Sequence, residues 1–199
     1  MMIEFKKNGV ELNNQKWGLL KKEITIEIER ITRKLEKFFG PVSKGYSLSL
    51  NFIPGKAPIT IVKNSLMKIT INLPDYEMNS EENSRFQRSL NLAHELVHTL
   101  TPNEKSNEVT VFEEGLATYF SEEYTNIEES VPQKMYDYAN ARNLVRQLLQ
   151  MDKDIVKKLR KSHPSKNISE FTVDDLVGEL GPKATNLAQS LAKPFYNKP

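Results

Sequence analysis

Residues 94–98 read His-Glu-Leu-Val-His, and this stretch decides how the rest of the chain is interpreted. Residues four positions apart lie on the same face of an α-helix, so the imidazoles of His94 and His98 can bind one metal ion. Zinc takes nitrogen and oxygen ligands in a roughly tetrahedral arrangement, and a catalytic zinc keeps one position for water. Glu95 follows the first histidine and is angled toward that water. The pattern therefore predicts a Zn²⁺ site in which Glu95 is the general base.

The surrounding sequence predicts a helix with one apolar side. Ser84 and Gln87 have the spacing of a capping box, which predicts a helix over about residues 85–100, and Pro102 follows its end. The alternative is that the two histidines are unrelated surface residues, and an apolar side on the same helix argues against it. That side carries Leu92, Leu96 and Leu100.

A catalytic zinc needs a third protein ligand, and the acidic segment that follows offers one. Fifteen residues separate His98 from Glu114, which leaves room for a turn and a second helix packed back on the first. Glu113 and Glu114 differ by about 100° around a helix, so they cannot both face the histidines. We favour Glu114, because Gly115 lacks a side chain and lets the second helix approach the first closely. Glu113 is then expected to point toward solvent or the helix start, and its loss should cost little.

Two alternatives stay open for this acidic segment. Glu113 and Glu114 are also typical of a solvated helix start, which the helix macrodipole favours. If neither glutamate is a ligand, His163 becomes the leading candidate. It is the only other histidine, and it lies far along the chain beside Pro164.

The motif at residues 94–98, combined with Glu-Gly-Leu-Ala-Thr at residues 114–118, resembles the gluzincins, zinc peptidases with two histidines and one glutamate as ligands. The local sequence is closest to the Glu-Gly-x-Ala segment of the aminopeptidase branch that includes leukotriene A4 hydrolase. The resemblance covers about residues 90–123. The Gly-x-Met-Glu-Asn segment with which that branch holds the substrate amino terminus is absent here. Aminopeptidase specificity therefore does not carry over.

The resemblance implies a zincin core, in which a sheet lies above the active helix and an edge strand, here residues 67–73, lines the substrate cleft. It also implies a supporting role for Thr118, one turn after Glu114, with an ordinary helical threonine as the alternative. The oxyanion formed during hydrolysis needs a hydrogen-bond donor, which gluzincins supply from their C-terminal part. The candidates in that part are His163, Tyr136 and Tyr138.

Hydrophobic periodicity predicts an α+β fold with an N-terminal helix, a small mixed sheet, a central helix that carries the motif, and a helical C-terminal part. We divide the chain into a zincin-like catalytic core, residues 1–131, and a helical C-terminal subdomain, residues 132–199, with one compact domain as the alternative. The predicted helices span residues 14–39, 85–100, 107–124, 133–160, 173–180 and 183–191, and the predicted strands span 46–53, 59–62 and 67–73.

Composition narrows the function classes. The 199 residues contain no cysteine, which excludes disulfides, thiolate metal ligands and cysteine nucleophiles. No apolar run approaches the roughly 20 residues of a membrane helix, and residues 1–7 lack the apolar stretch of a secretory signal, so we expect a cytoplasmic protein without a membrane partner. Residues 80–131 carry 3 basic and 11 acidic side chains. Such an acidic segment is consistent with a bound cation or with solvated helix faces. The basic residues elsewhere lie on helix-like repeats, and this pattern disfavours a nucleic-acid partner.

The sequence therefore predicts a zinc metallopeptidase that hydrolyses the amide bonds of a peptide or protein substrate. His94, His98 and Glu114 are the expected zinc ligands, and Glu95 is also expected to donate the proton to the leaving amine. One alternative is a zincin-fold module that binds metal or substrate without turnover, and an intact Glu95 argues against it. The other is a regulatory protease specific for one partner protein. The choice between endopeptidase and exopeptidase and the oligomeric state stay open.

Overall fold

The computed structural model describes residues 3–12, 14–63, 68–74, 82–102, 109–127 and 136–196, with the backbone alone for residues 14–16 and 136. Within these residues the fold is α+β, with seven α-helices and one mixed five-stranded sheet, so the predicted fold class is confirmed. The helices are α1 (Asn14–Phe39), α2 (Glu82–Val97), α3 (Val111–Thr125), α4 (Tyr136–Met151), α5 (Ile155–Ser162), α6 (Val173–Leu180) and α7 (Thr185–Leu191). The strands are β1 (Ile3–Lys7), β2 (Val10–Glu11), β3 (Ser47–Ile53), β4 (Ile59–Lys63) and β5 (Lys68–Pro74).

The sheet has the strand order β2-β1-β3-β5-β4. Strands β1, β3 and β5 run parallel, whereas β2 and β4 pair antiparallel at the two edges. The expectation that residues 67–73 form the edge strand is therefore wrong, because β5 lies between β3 and β4. Alternation of apolar residues identifies a strand but does not identify its neighbours. The short connection from β4 to β5 favours an antiparallel pair, which leaves β4 at the edge.

One side of the sheet is buried against the helices. In β4, Thr60 and Val62 are buried while Ile59 and Ile61 are exposed, which is the alternation expected of a half-buried strand. Thr60 is therefore a polar side chain on the buried side of an edge strand. The buried apolar residues of β3 and β5 are Leu48, Leu50, Phe52, Ile69, Ile71 and Leu73.

Helix α1 has the bounds predicted from hydrophobic periodicity and packs against α2 and α3. Its Glu27 also connects the three helices through hydrogen bonds. The carboxylate oxygen Oε1 accepts from Ser89 Oγ on α2 at 2.8 Å and from Tyr124 Oη on α3 at 2.9 Å. The fully buried apolar residues of α1 are Ile24, Ile28, Ile31, Leu35 and Phe39.

Helix α2 carries the motif, but it starts and ends earlier than predicted. It begins at Glu82, so Ser84 lies inside the helix and the predicted capping box is wrong. A buried serine is tolerated within a helix where packing outweighs its intrinsic preference. The helix ends at Val97, and tighter turns follow over residues 96–100. His98 is therefore the first residue after the helix, a position that matters for its contacts.

Helix α3 begins at Val111, after Thr110, whose hydroxyl accepts a hydrogen bond from Glu113 N at 3.4 Å. The predicted start at residue 107 is too early: residues 107 and 108 lie outside the described residues, and Val109 and Thr110 precede the helix. The predicted helix over residues 133–160 is two helices, α4 and α5. The break follows from a local turn, because the Asp152 carboxylate accepts a hydrogen bond from the backbone N of Asp154 at 2.9 Å.

The remaining C-terminal elements agree closely with the periodicity. Helix α6 has the predicted bounds, and residues 183–191 form the end of a 3₁₀ turn, Pro182–Ala184, followed by α7. One hydrophobic core includes residues from both predicted regions of the chain. A polar contact also joins them, since Arg160 on α5 donates to the backbone oxygen of Leu100, just after the motif helix, at 3.1 Å. Among the described residues, no helix is both long and apolar enough to cross a membrane.

Candidate metal centre

Helices α2 and α3 pack together and bring the three predicted ligands to one place. His94 lies near the end of α2, His98 directly follows that helix, and Glu114 lies in the first turn of α3. One ligand atom from each of the three residues lies within 4.8 Å of the other two. His163, the alternative third ligand, instead pairs with Asp175, with 3.3 Å between Nε2 and Oδ1.

The spacing of these atoms suits an ion of the size of zinc. Glu114 Oε2 lies 3.2 Å from His94 Nε2, and Glu114 Oε1 lies 3.9 Å from His98 Nε2. Zinc bonds of roughly 2.0–2.1 Å at tetrahedral angles separate two ligand atoms by about 3.3 Å. Glu114 Oε2 is buried, and apart from this contact with His94 it has no hydrogen-bond partner among the described residues. Because an unpartnered buried carboxylate oxygen is costly, a cation beside it fits this site.

The charges around the two histidines also favour a cation. Burial by itself lowers the pKa of His98, but the hydrogen bond and charge of Glu113, with Glu114 and Glu95 nearby, raise it to about 10. Burial raises the pKa of Glu114, yet contacts with His94 and His98 lower it below its usual value. Glu114 is therefore held ionised at neutral pH, which is the state in which a carboxylate binds metal.

Glu113 does not point toward solvent, and that expectation is wrong. It is buried, and its Oε1 lies 2.8 Å from His98 Nδ1. Since an ionised carboxylate only accepts, Nδ1 donates to Glu113, and Nε2 could bind a metal ion after releasing its own proton. The expectation failed because it assumed that His98 lies on the helix face. His98 follows the end of α2, where its ring faces Glu113 with one nitrogen and Glu114 with the other.

A serine from the C-terminal part extends these contacts. Ser169 Oγ donates a hydrogen bond to the second oxygen of Glu113, Oε2. Ser169 lies in the 3₁₀ turn Ile168–Glu170, whose first backbone N donates to Thr101 Oγ1 at 2.9 Å. Sequence reasoning missed Ser169, because no local pattern distinguishes it from other surface serines.

Glu95 is buried and contacts the edge strand β4. Thr60 Oγ1 donates to Glu95 Oε2 at 2.8 Å and also lies 3.1 Å from the backbone oxygen of Glu95. Thr60 was not among the predicted site residues, although strand alternation contains a signal. It places this polar residue on the same side of β4 as Val62. The antiparallel edge of the sheet thus directly contacts the predicted general base.

Gly115 packs against α4 rather than against α2. A Cβ atom at this position would lie 2.5 Å from the backbone oxygen of Ala141 and 2.7 Å from Val145 Cγ2. The expectation that Gly115 brings α3 close to the motif helix is therefore wrong. Thr118 donates to the backbone oxygen of Glu114 at 2.9 Å, within its own helix. This contact agrees with the ordinary helical threonine rather than with a support for a histidine.

The three candidate oxyanion donors lie in different surroundings. Tyr138 lies beside the site, with its ring centroid 6.1 Å from that of His94. Burial, and then the charge of Glu114, raise the pKa of Tyr138, so its hydroxyl keeps its proton. His163 is paired with Asp175, as described above. The side chain of Tyr136 lies outside the described residues.

Tyr196 also belongs to the site, and sequence reasoning missed it. Its hydroxyl donates to Glu114 Oε1 at 3.4 Å and lies 3.1 Å from the hydroxyl of Tyr138. Tyr196 is followed by three residues outside the described part, and its own sequence context carries no motif. Its position depends on a pairing between distant segments of the chain.

Comparison of this chain with protein-family models, with curated proteins and with solved structures found no match in any of the three. A functional proposal therefore depends on the chemistry of the site itself. That chemistry comprises two imidazole nitrogens, a carboxylate with an unpartnered oxygen, and a buried glutamate next to the first histidine.

Proposed function

We propose that this chain is a zincin-like zinc metallopeptidase that hydrolyses peptide bonds. The observation that supports it most directly is the group of His94, His98 and Glu114, whose ligand atoms lie within 4.8 Å of one another. This donor set matches the ligands that the resemblance to gluzincins implies. A zincin-like arrangement is further supported by β4, an antiparallel edge strand that contacts the motif helix at Glu95.

Different residues of the chain would bind the metal ion, transfer the proton and stabilise the oxyanion. His94 and His98 would hold the ion through ring nitrogens, and Glu114 through a carboxylate oxygen. A bound zinc ion supplies Lewis acidity, which makes water acidic enough to act as a nucleophile near neutral pH. Glu95 would take the proton from that water and give it to the leaving amine. Tyr138 keeps its proton, and it would turn that proton from the Tyr196 oxygen to the oxyanion of the substrate.

The surroundings of Glu95 favour catalysis over a module that only binds metal or substrate. A binding module does not need a buried carboxylate beside its first ligand, and burying one costs free energy unless it is hydrogen-bonded. Thr60 supplies that hydrogen bond at 2.8 Å. After burial and the charge of Glu114, the charge of Glu95 makes a smaller contribution to the raised pKa of Tyr138 and of Tyr196. Glu95 therefore lies within electrostatic reach of both phenols.

Metal analysis and a peptide-cleavage screen test the proposal together. Purified chain refolded with zinc should retain about one ion, and His94→Ala or His98→Ala should abolish this. Cleavage of a broad peptide library should stop on chelation and return when zinc is added. Wild-type chain that stays free of metal would contradict the proposal.

Glu95→Gln is the matched control for the screen, because it keeps the size of the side chain and removes the base. A zinc-loaded wild-type chain that cleaves no more than this variant would favour the binding module. If the library is uncut but Glu95→Gln retains one partner protein that the wild type cleaves, the chain is a specific regulatory protease.

A further inference from the structure

We infer that Tyr196 is a positioning residue for Glu114, and that the segment Lys193–Tyr196 brings it to the site. The inference rests on the proposed metal site and adds a contact from a distant part of the chain. It concerns which of the two Glu114 oxygens is open to an ion.

Backbone pairing holds the segment beside the start of α3. One partner in this pairing is Thr110, which is the N-cap residue of α3. The pairing therefore fixes the segment relative to the turn that carries Glu114. Two hydrogen bonds flank an antiparallel bridge. They are Val111 N to Lys193 O at 2.9 Å and Phe195 N to Val109 O at 2.9 Å, with Thr110 opposite Pro194 in the bridge.

Contacts between aromatic rings also hold the Tyr196 side chain in place. Phe195 packs edge-on against Tyr138 of α4, with 4.7 Å between ring centroids, and Tyr196 lies 5.0 Å from Phe195. The hydroxyls of Tyr138 and Tyr196 are 3.1 Å apart. The Tyr196 hydroxyl is thus placed both by its own backbone and by a helix that does not carry a ligand.

The result is that the two oxygens of Glu114 have different surroundings. Oε1 accepts the hydrogen bond from Tyr196 at 3.4 Å. Oε2 has no hydrogen-bond partner among the described residues and lies 3.2 Å from His94 Nε2. A hydroxyl that holds one oxygen orients the carboxylate and leaves the other as the single ligand atom. Hydrogen-bond partners of this kind orient a ligand and strengthen metal binding without touching the ion.

Zinc affinity measured by competition with a chromophoric chelator tests the inference. Tyr196→Phe removes the hydroxyl and keeps the ring that packs on Phe195. We expect it to weaken zinc binding roughly tenfold, the lower end of the effect of losing such a partner. The control is Tyr119→Phe, which removes the hydroxyl of a half-buried tyrosine on α3. This variant should leave the zinc affinity unchanged.

The visible spectrum of the chain loaded with Co²⁺ distinguishes two roles of Tyr196. One is to orient the Glu114 carboxylate, and the other is only to hold the segment Lys193–Tyr196 in place. Tetrahedral Co²⁺ absorbs more strongly than five-coordinate Co²⁺. If Tyr196→Phe frees Oε1 to bind beside Oε2, the absorbance per bound ion should fall.

Equal zinc affinity in wild type and Tyr196→Phe would overturn the inference and leave the proposed function intact. Weaker binding with an unchanged cobalt spectrum would make Tyr196 a structural clamp only, and would also overturn it. A wild-type chain that binds neither ion would overturn both proposals.

Discussion

The Nδ1 atom of His98 lies 2.8 Å from Oε1 of Glu113, the residue just before the proposed ligand Glu114. Two adjacent glutamates thus face the two nitrogens of one imidazole, Glu113 at Nδ1 and Glu114 at Nε2. This arrangement is possible because His98 follows the last residue of α2 and faces the first turn of α3. In the proposed site, Glu113 orients the ring and Glu114 binds the ion.

Glu113→Gln should therefore weaken zinc binding, contrary to what its place in the sequence suggested. A neutral amide is a weaker acceptor for the Nδ1 proton, so the ring is held less firmly and Nε2 is less basic. Loss of such a partner typically lowers metal affinity by roughly 10- to 100-fold. Chelator competition measures the change, and exposed Glu123 on the same helix offers Glu123→Gln as a neutral control. Unchanged affinity in Glu113→Gln would return this residue to a purely structural role.

Glu95→Gln should keep zinc and the fold while losing hydrolysis by at least about two orders of magnitude, the usual scale for a general base. The glutamine can still accept the hydrogen bond from Thr60, so packing against β4 is retained. Zinc content and cleavage rate are measured on the same preparation. Parallel loss of both quantities would indicate that Glu95 is a ligand, and unchanged cleavage would remove it from the mechanism.

The proximity of His94, His98 and Glu114 was predictable from sequence because their geometry is largely local. His94 and His98 are separated by one helical turn, and a short connection to α3 is enough to bring Glu114 back to them. The bounds of α1 and α6 were equally predictable, since each has a clear apolar period and a distinct end.

The supporting contacts were not predictable, because each depends on which distant segment packs against the site. Ser169 lies 56 positions from Glu113, and Tyr196 lies 82 positions from Glu114. Gly115 illustrates the same limit: the sequence indicates a close approach but not the helix that makes it. Periodicity describes one element at a time, whereas these roles are set between elements.

Gly115→Ala should destabilise the fold, because the new methyl group would lie 2.5 Å from the backbone oxygen of Ala141. Moving helix backbones apart to relieve such a contact costs about 1–3 kcal/mol. Urea unfolding followed by circular dichroism measures the difference. Gly178→Ala in α6 is the matched control, since a Cβ there meets nothing within 4 Å and should raise the free energy of unfolding by roughly 0.5–1 kcal/mol. Equal effects at the two positions would contradict the close approach of α3 to α4.

The ion pair Glu122–Arg142 between α3 and α4 should contribute far more to the free energy of unfolding than a surface ion pair with the same N–O distance. Arg142 Nη1 lies 2.8 Å from Glu122 Oε1, and both side chains are buried. Glu122→Ala leaves a buried guanidinium without its carboxylate, which costs about 3–5 kcal/mol. Lys68 and Glu4 are also 2.8 Å apart but are partly exposed, so Glu4→Ala should cost less than about 1 kcal/mol. Thermal unfolding of both variants gives the comparison, and similar losses would refute the role of burial.

Asp175 in the first turn of α6 should stabilise the fold only above acidic pH. Burial opposes its ionisation, but hydrogen bonds from Lys166 and Thr172 lower its pKa from 3.8 to about 2. Because the folded-state pKa is below the unfolded value, the stabilisation is complete above about pH 4 and is lost as the pH falls toward 2. Asp175→Asn should therefore reduce the free energy of unfolding by up to about 2 kcal/mol at pH 7, with the difference from wild type shrinking between pH 4 and pH 2. Urea unfolding across this range measures it, with Asp174→Asn, an exposed neighbour, as the control. A difference that stays constant with pH would mean that packing, rather than charge, explains the effect of Asp175.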